Sequence, residues 1–246
     1  KEINWKIEVS ENRRFFLREI YFVFFLVLWC IPAEIYSQQN LIDSLKAVVE
    51  RGEKDSTAVN FLNELSSALL AEGEFEESLR FAVKAEALAD EIKFTKGKAY
   101  ALKQTGLVHY YQGNYLEVFD DWTKSLENFE VINDSVGIAN LLTNLGTVYY
   151  SQGSYDKAIE FGLRSLAIAE KINHPLRMVS ALINIALAYG DNKKYDKALD
   201  YYDRAFPYLE SLNNAGLSKG YYLGVGTILS DQGNYKEALK KFEEAL

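Results

Sequence analysis

A chain of 246 residues with 48% apolar and 25% charged side chains is folded material, long enough for one large domain, two small ones or a string of units with no single core, and too apolar for a disordered tail. Its net charge of −8 and pI near 5.0 exclude an extended surface of the kind that neutralises nucleic-acid phosphates. The single cysteine, Cys30, excludes an internal disulfide, and the presence of only three prolines favours helix.

Residues 20–33, IYFVFFLVLWCIPA, form an uncharged run of fourteen behind Arg13, Arg14 and Arg18. A bilayer-spanning helix needs roughly 20 apolar residues, so this run is short for a stable span and fits a secretory signal with a cleavage point before Gln38. Residues 1–37 are therefore expected to be an export signal or an uncleaved membrane anchor, which places the remainder outside the cytoplasm, periplasmic or membrane-held. Trp29 before Cys30 argues against a lipoprotein site. Residues 38–56, QQNLIDSLKAVVERGEKDS, predict a lone leading helix.

From about residue 57 the chain repeats. QGNY at 112–115 returns at 232–235, with QGSY at 152–155 between them. Gly73, Gly113, Gly153, Lys193 and Gly233 stand in register at a step of 40, each followed two residues later by an aromatic: Phe75, Tyr115, Tyr155, Tyr195 and Tyr235. A period of 20–50 residues marks a solenoid. Leu142, Leu145, Gly146 and Tyr149 share one helix face, as do Tyr155, Ala158, Ile159 and Gly162 after the turn. Each unit thus reads as helix, tight glycine turn, helix, with the glycine taking the left-handed conformation that ends the first helix. Thr95, Asp134 or Ser135, and Asn173 are the expected N-caps, with Pro175 in a first helical turn. Ser66, Gly106, Gly146, Ala186 and Gly226 keep one first-helix position small, and Ser78, Ala158, Ala198 and Ala238 do so on the second helix, except at Val118. Short side chains at both positions predict a close helix crossing there.

The pattern Leu142-x-x-Leu145-Gly146-x-x-Tyr149 … Gly153-x-Tyr155-x-x-Ala158 resembles the tetratricopeptide repeat (TPR). The resemblance implies an all-α, right-handed superhelical solenoid of helix-turn-helix pairs. Five units are expected, at about 57–94, 95–134, 135–174, 175–214 and 215–246. The step of 40 exceeds the family's usual 34, and Lys193 replaces a glycine.

No enzyme signature, metal cluster or cofactor motif stands out. His109 and His174 lack a second ligand at metal spacing, and Asp120–Asp121 reads as a solvated helix face. The family resemblance places ligand contacts on the concave surface of the first helices, for an extended or helical peptide or protein partner. Carried over, that surface holds Asn63 and Ser67, then Tyr100, Lys103, Leu107 and Tyr110. It continues through Asn140, Thr143, Asn144, Thr147 and Tyr150 to Ser180, Ile183, Asn184 and Leu187.

Residues 137–161 strongly resemble the TPR region of bacterial membrane-bound sensors that continue into a histidine kinase or nucleotide cyclase. That resemblance implies an interaction module forming the extracytoplasmic sensory or scaffolding part of a signalling protein, with further repeats, a membrane span and an enzyme domain expected beyond Leu246. An exported scaffold without an enzyme, and a cytoplasmic regulator joined to a DNA-binding domain, are the alternatives. Membrane association would run through residues 20–33 or a later span.

Overall fold

The computed structural model describes residues 39–246, with Glu210 described by its backbone alone; the expected export segment lies outside the described residues. A short helix, α1, spans residues 39–49. Ten more follow: α2 (Ser56–Ala71), α3 (Phe75–Glu91), α4 (Thr95–Gln112), α5 (Tyr115–Val131), α6 (Ser135–Ser151), α7 (Tyr155–Lys171), α8 (Pro175–Asp191), α9 (Tyr195–Leu212), α10 (Ala215–Asp231) and α11 (Tyr235–Glu244). No strand occurs among the described residues. The architecture is an all-α solenoid of antiparallel helix pairs, as the repeat implies.

The punctuation is finer than the 40-residue unit. Gly73, Lys93, Gly113, Asn133, Gly153, Asn173, Lys193, Asn213 and Gly233 all have positive φ, one every 20 residues. Turns within a unit and turns between units therefore share one design. The amide just past the left-handed residue bonds back to a carbonyl five residues earlier, as in Asn114 N–H to His109 O (2.9 Å) and Asp134 N–H to Phe129 O (2.9 Å). This is the Schellman closure, which satisfies carbonyls that a helix end leaves free. Asn173 is consequently the left-handed residue closing α7, not an N-cap; His174 holds the N-cap place and Pro175 begins α8. Thr95 likewise lies inside α4, behind Phe94. Asp134 does cap α6, its carboxylate accepting from Gly137 N–H at 2.9 Å.

The small positions mark the helix crossings. A Cβ added to Gly146 would lie 3.2 Å from the Ala158 carbonyl oxygen, so backbone meets backbone there. In the first unit two hydroxyls fill the same crossing, Ser66 Oγ and Ser78 Oγ at 3.1 Å, both fully buried. Ala186, Ala198 and Ala238 are buried at the corresponding places, and Gly106 and Gly226 are covered by Trp122 and Phe242.

Apolar burial is distributed along the array. One cluster joins Ile42 and Leu45 of α1 to α2–α4, a second surrounds Trp122 and Phe129, and a third runs from Ala158 to Ile228. Such an array has no single core and is stabilised by contacts between neighbours. First helices also touch each other across units, α2 with α4, α6 with α8 and α8 with α10, whereas second helices have no comparable contact with one another. The first helices are therefore the inner, concave layer. Among the helices from α2 to α11, successive pairs pack extensively except at α5–α6 and, most loosely, at α9–α10. α9 carries Pro207 in its interior, a residue that cannot donate to the carbonyl one turn back and crowds it.

Candidate functional site

The concave layer presents one half-buried stripe per helix. On α4 it holds Tyr100, Lys103, Leu107 and Tyr110; on α6, Asn140, Asn144, Thr147 and Tyr150; on α8, Ser180, Asn184 and Leu187. Residues on either side of each stripe are buried, which is what a helix sandwiched between its pair-mate and its neighbours must do. The stripes are tied together across units. Lys103 Nζ reaches Asn140 Oδ1 at 3.5 Å, Asn184 Nδ2 donates to Thr147 Oγ1 at 3.2 Å, and Tyr150 Oη donates to Asp191 Oδ2 at 2.5 Å.

Three residues expected in the groove face inward. Thr143 is 7% exposed, and its hydroxyl meets Ala139 O at 3.0 Å and Ser165 Oγ at 2.8 Å. Ile183 is 4% exposed within the third apolar cluster. Asn63 is also buried and donates to Gly97 O at 3.1 Å. Tyr110 belongs to an aromatic group, stacked on Trp122 at 6.2 Å and edge-on to Tyr111 and Tyr115. Outside the groove, His109 and Asp121 form a largely buried pair at 2.8 Å, so Asp121 is not a solvated face residue; burial raises its carboxyl above the ordinary range and His109 opposes that shift. No group of three or more metal-binding side chains occurs among the described residues.

The groove is electrostatically two-ended. At one end Lys103 Nζ of α4 lies 5.1 Å from the Tyr100 ring centroid, and Arg177 of α8 is near enough for its charge to act on Lys103. Burial pulls the Lys103 ammonium below its ordinary value, and the Arg177 charge pulls the same way. Burial also lowers Arg177, and its Nε has no partner within the chain. Among the described residues neither cation pairs with a carboxylate. At the other end, a cavity of about 320 Å³ opens between α8 and α10. Its lining includes Tyr150, Leu187, Leu223 and Tyr202, with Asp191 and Asp231 at the helix ends. A smaller cavity of about 90 Å³ adjoins it through Tyr150 and Leu187 and includes Thr147 and Asn184.

Sequence reasoning missed Arg177 and the whole α10 stripe. Leu223, Gly224 and Thr227 stand 40 residues beyond Ile183, Asn184 and Leu187, so the register held the signal. Arg177 aligns with Gly97, Gly137 and Leu217, and nothing in the repeat points to it.

Comparison with known proteins agrees with this architecture. The tetratricopeptide repeat profile matches residues 99–171 and 177–246, more than half of the chain. The chain belongs to the tetratricopeptide repeat family. Similar solved structures include BtubC from P. vanneervenii, with TM-score 0.67, 15% identity, and coverage of 86% of this chain and 87% of that one. A Rap protein complexed with competence and sporulation factor has TM-score 0.68 at 18% identity, covering 85% of this chain and 68% of the other. The Rap conjugation gene regulator of plasmid pLS20, in complex with the Phr* peptide, has TM-score 0.66 at 16% identity over 76% of this chain and 52% of that one. At such identities the likeness concerns the fold. No curated protein matches the sequence.

Proposed function

We propose that the concave groove binds a peptide or an exposed protein segment, and that the chain acts as the ligand-recognising module of a larger assembly. One observation carries this reading. The inner layer holds Lys103 and Arg177 half-buried and unpaired beside the polar stripe Asn140, Asn144, Thr147 and Asn184. Desolvated cations without a carboxylate partner lower stability, so a fold that keeps them on its inner layer is poised to pair them with one. A carboxylate on a ligand meets that need. The complex of a similarly folded Rap protein with the Phr* peptide supports a peptide as the class of ligand. The described residues carry no enzymatic constellation, which favours recognition over chemistry.

The test substitutes Leu187→Glu, which places a charge where the two cavities meet, and compares partners captured by this variant and by the unaltered chain. Loss of the captured partners with retained helicity is the expected result. A folded variant that keeps every partner moves recognition to the second helices or the turns.

We further propose that the module works outside the cytoplasm as the sensory part of a bacterial signalling protein. The arginine-flanked apolar run at residues 20–33 supports export, and the sequence resemblance of residues 137–161 to bacterial sensors supports the signalling role. No helix among the described residues is long and apolar enough to cross a membrane. Expression in a bacterium followed by N-terminal sequencing tests the location: a periplasmic product beginning near Gln38 is expected, and a cytosolic product with residues 1–37 intact overturns it.

A further inference from the structure

The acidic end of the groove has a more specific chemistry. The cavity between α8 and α10 is walled by Ala186, Leu187, Leu223 and Ile228 and kept open by Gly220 and Gly224. Tyr202 of α9 lines it while being 1% exposed, and its hydroxyl has no hydrogen-bond partner within the chain. That hydroxyl lies directly against Gly224, where any Cβ would overlap it. Asp191 and Asp231, on adjacent first helices, bring two carboxylates to the same cavity. Each accepts one tyrosine hydroxyl, from Tyr150 and Tyr195 respectively, which leaves most of its acceptor capacity free. Among the described residues no lysine or arginine pairs with either of them.

Resting on the groove reading above, we infer that this cavity receives a basic side chain, arginine or lysine, of the bound peptide. The pieces match such a side chain from stem to head. Long basic residues lay their methylenes along apolar surface while the charged head seeks polar partners. The four apolar walls take the stem. The two carboxylates take the cation in charge-assisted hydrogen bonds, which are shorter and stronger than neutral ones. Tyr202 Oη supplies a buried oxygen without a partner that can accept an N–H from the same head. The small residues follow as well: a side chain at 224 would displace the Tyr202 hydroxyl, and one at 220 would narrow the slot. An acidic side chain would meet two like charges, and a purely apolar one would leave the Tyr202 hydroxyl unmet and both carboxylates without a cation.

The experiment selects a displayed library of random heptapeptides on the full chain. Retained peptides are expected to share an arginine or lysine at one recurrent position. Replacing that residue by citrulline, which keeps the shape of arginine without its charge, is expected to weaken binding at least tenfold. Asp191→Asn combined with Asp231→Asn should abolish the preference for the charged peptide. Tyr202→Phe should weaken the basic peptide severalfold while leaving thermal stability equal or higher, an outcome that a purely structural tyrosine does not produce. Retained peptides without a recurrent basic residue, equal affinity for the citrulline peptide, or unchanged binding by Tyr202→Phe overturns the basic-side-chain pocket and leaves the groove standing. Retention of no peptide at all overturns the groove and the pocket together.

Discussion

Gly106→Ala tests the helix packing where its geometry is most demanding. Gly106 lies mid-helix in α4, and a methyl group there would overlap Nε1 and Cδ1 of Trp122 on α5. Trp122 is 2% exposed, donates its indole N–H to Lys103 O at 3.0 Å and stacks on Tyr110, so it has no open space to enter. Three contributions compete. Replacing glycine by alanine inside a helix gains about 1 kcal/mol. Overpacking a filled contact costs about 1–3 kcal/mol, and losing the indole hydrogen bond costs about 1 kcal/mol more. The net expectation is destabilisation by about 1–3 kcal/mol, read as a lowered urea midpoint by circular dichroism. Combining Gly106→Ala with Trp122→Leu provides the control, because the smaller side chain makes room for the methyl and the two penalties should fall well short of additive. A more stable Gly106→Ala chain would mean that helix propensity acts unopposed, and that Trp122 does not cover this glycine.

Two further outcomes follow from local geometry. Lys193 takes φ +57° where every other first-helix closure has a glycine. Relief of about 1–2 kcal/mol of left-handed strain, offset by about 0.5–1 kcal/mol of extra glycine entropy, predicts that Lys193→Gly raises stability by roughly 0.5–1 kcal/mol, visible as a higher urea midpoint. Lys103→Met should also stabilise the free chain, since burial and Arg177 disfavour the charged ammonium there. The folded pKa lies below the ordinary 10.5, so the unfolded chain binds more protons in that window, and the unaltered protein should regain stability relative to Lys103→Met as pH rises from neutrality toward 10. Equal pH profiles for the two chains would place Lys103 in water.

The fold was legible because the 40-residue register repeats residue types as well as spacing. Glycines at 73, 113, 153 and 233 announced the left-handed closures of the first helices. The matching closures of the second helices were harder to see. Asn133, Asn173 and Asn213 also recur at 40, but asparagine serves both as an N-cap and in the left-handed region, so Asn173 read as an N-cap where its backbone is in fact left-handed. The groove stripes on α4, α6 and α8 came from the family resemblance, carried over along that register. Periodicity could not tell that Thr143 bonds inward to Ser165, because a hydroxyl is equally at home in a groove or a core when it finds a partner. Nor could it reveal the acidic cavity, which depends on the looser α9–α10 packing and on a tyrosine hydroxyl that finds no partner.

The central claim is that recognition occurs on the inner layer of first helices. Methyl-resolved NMR of the chain, titrated with a heptapeptide retained from the displayed library, tests it most directly. Leu187 and Leu223 line the groove, whereas Val83 and Leu163 lie exposed on second helices. Shifts concentrated at Leu187 and Leu223, with Val83 and Leu163 unmoved, are the predicted result; shifts concentrated at Val83 and Leu163 would place recognition on the outer layer and contradict the account.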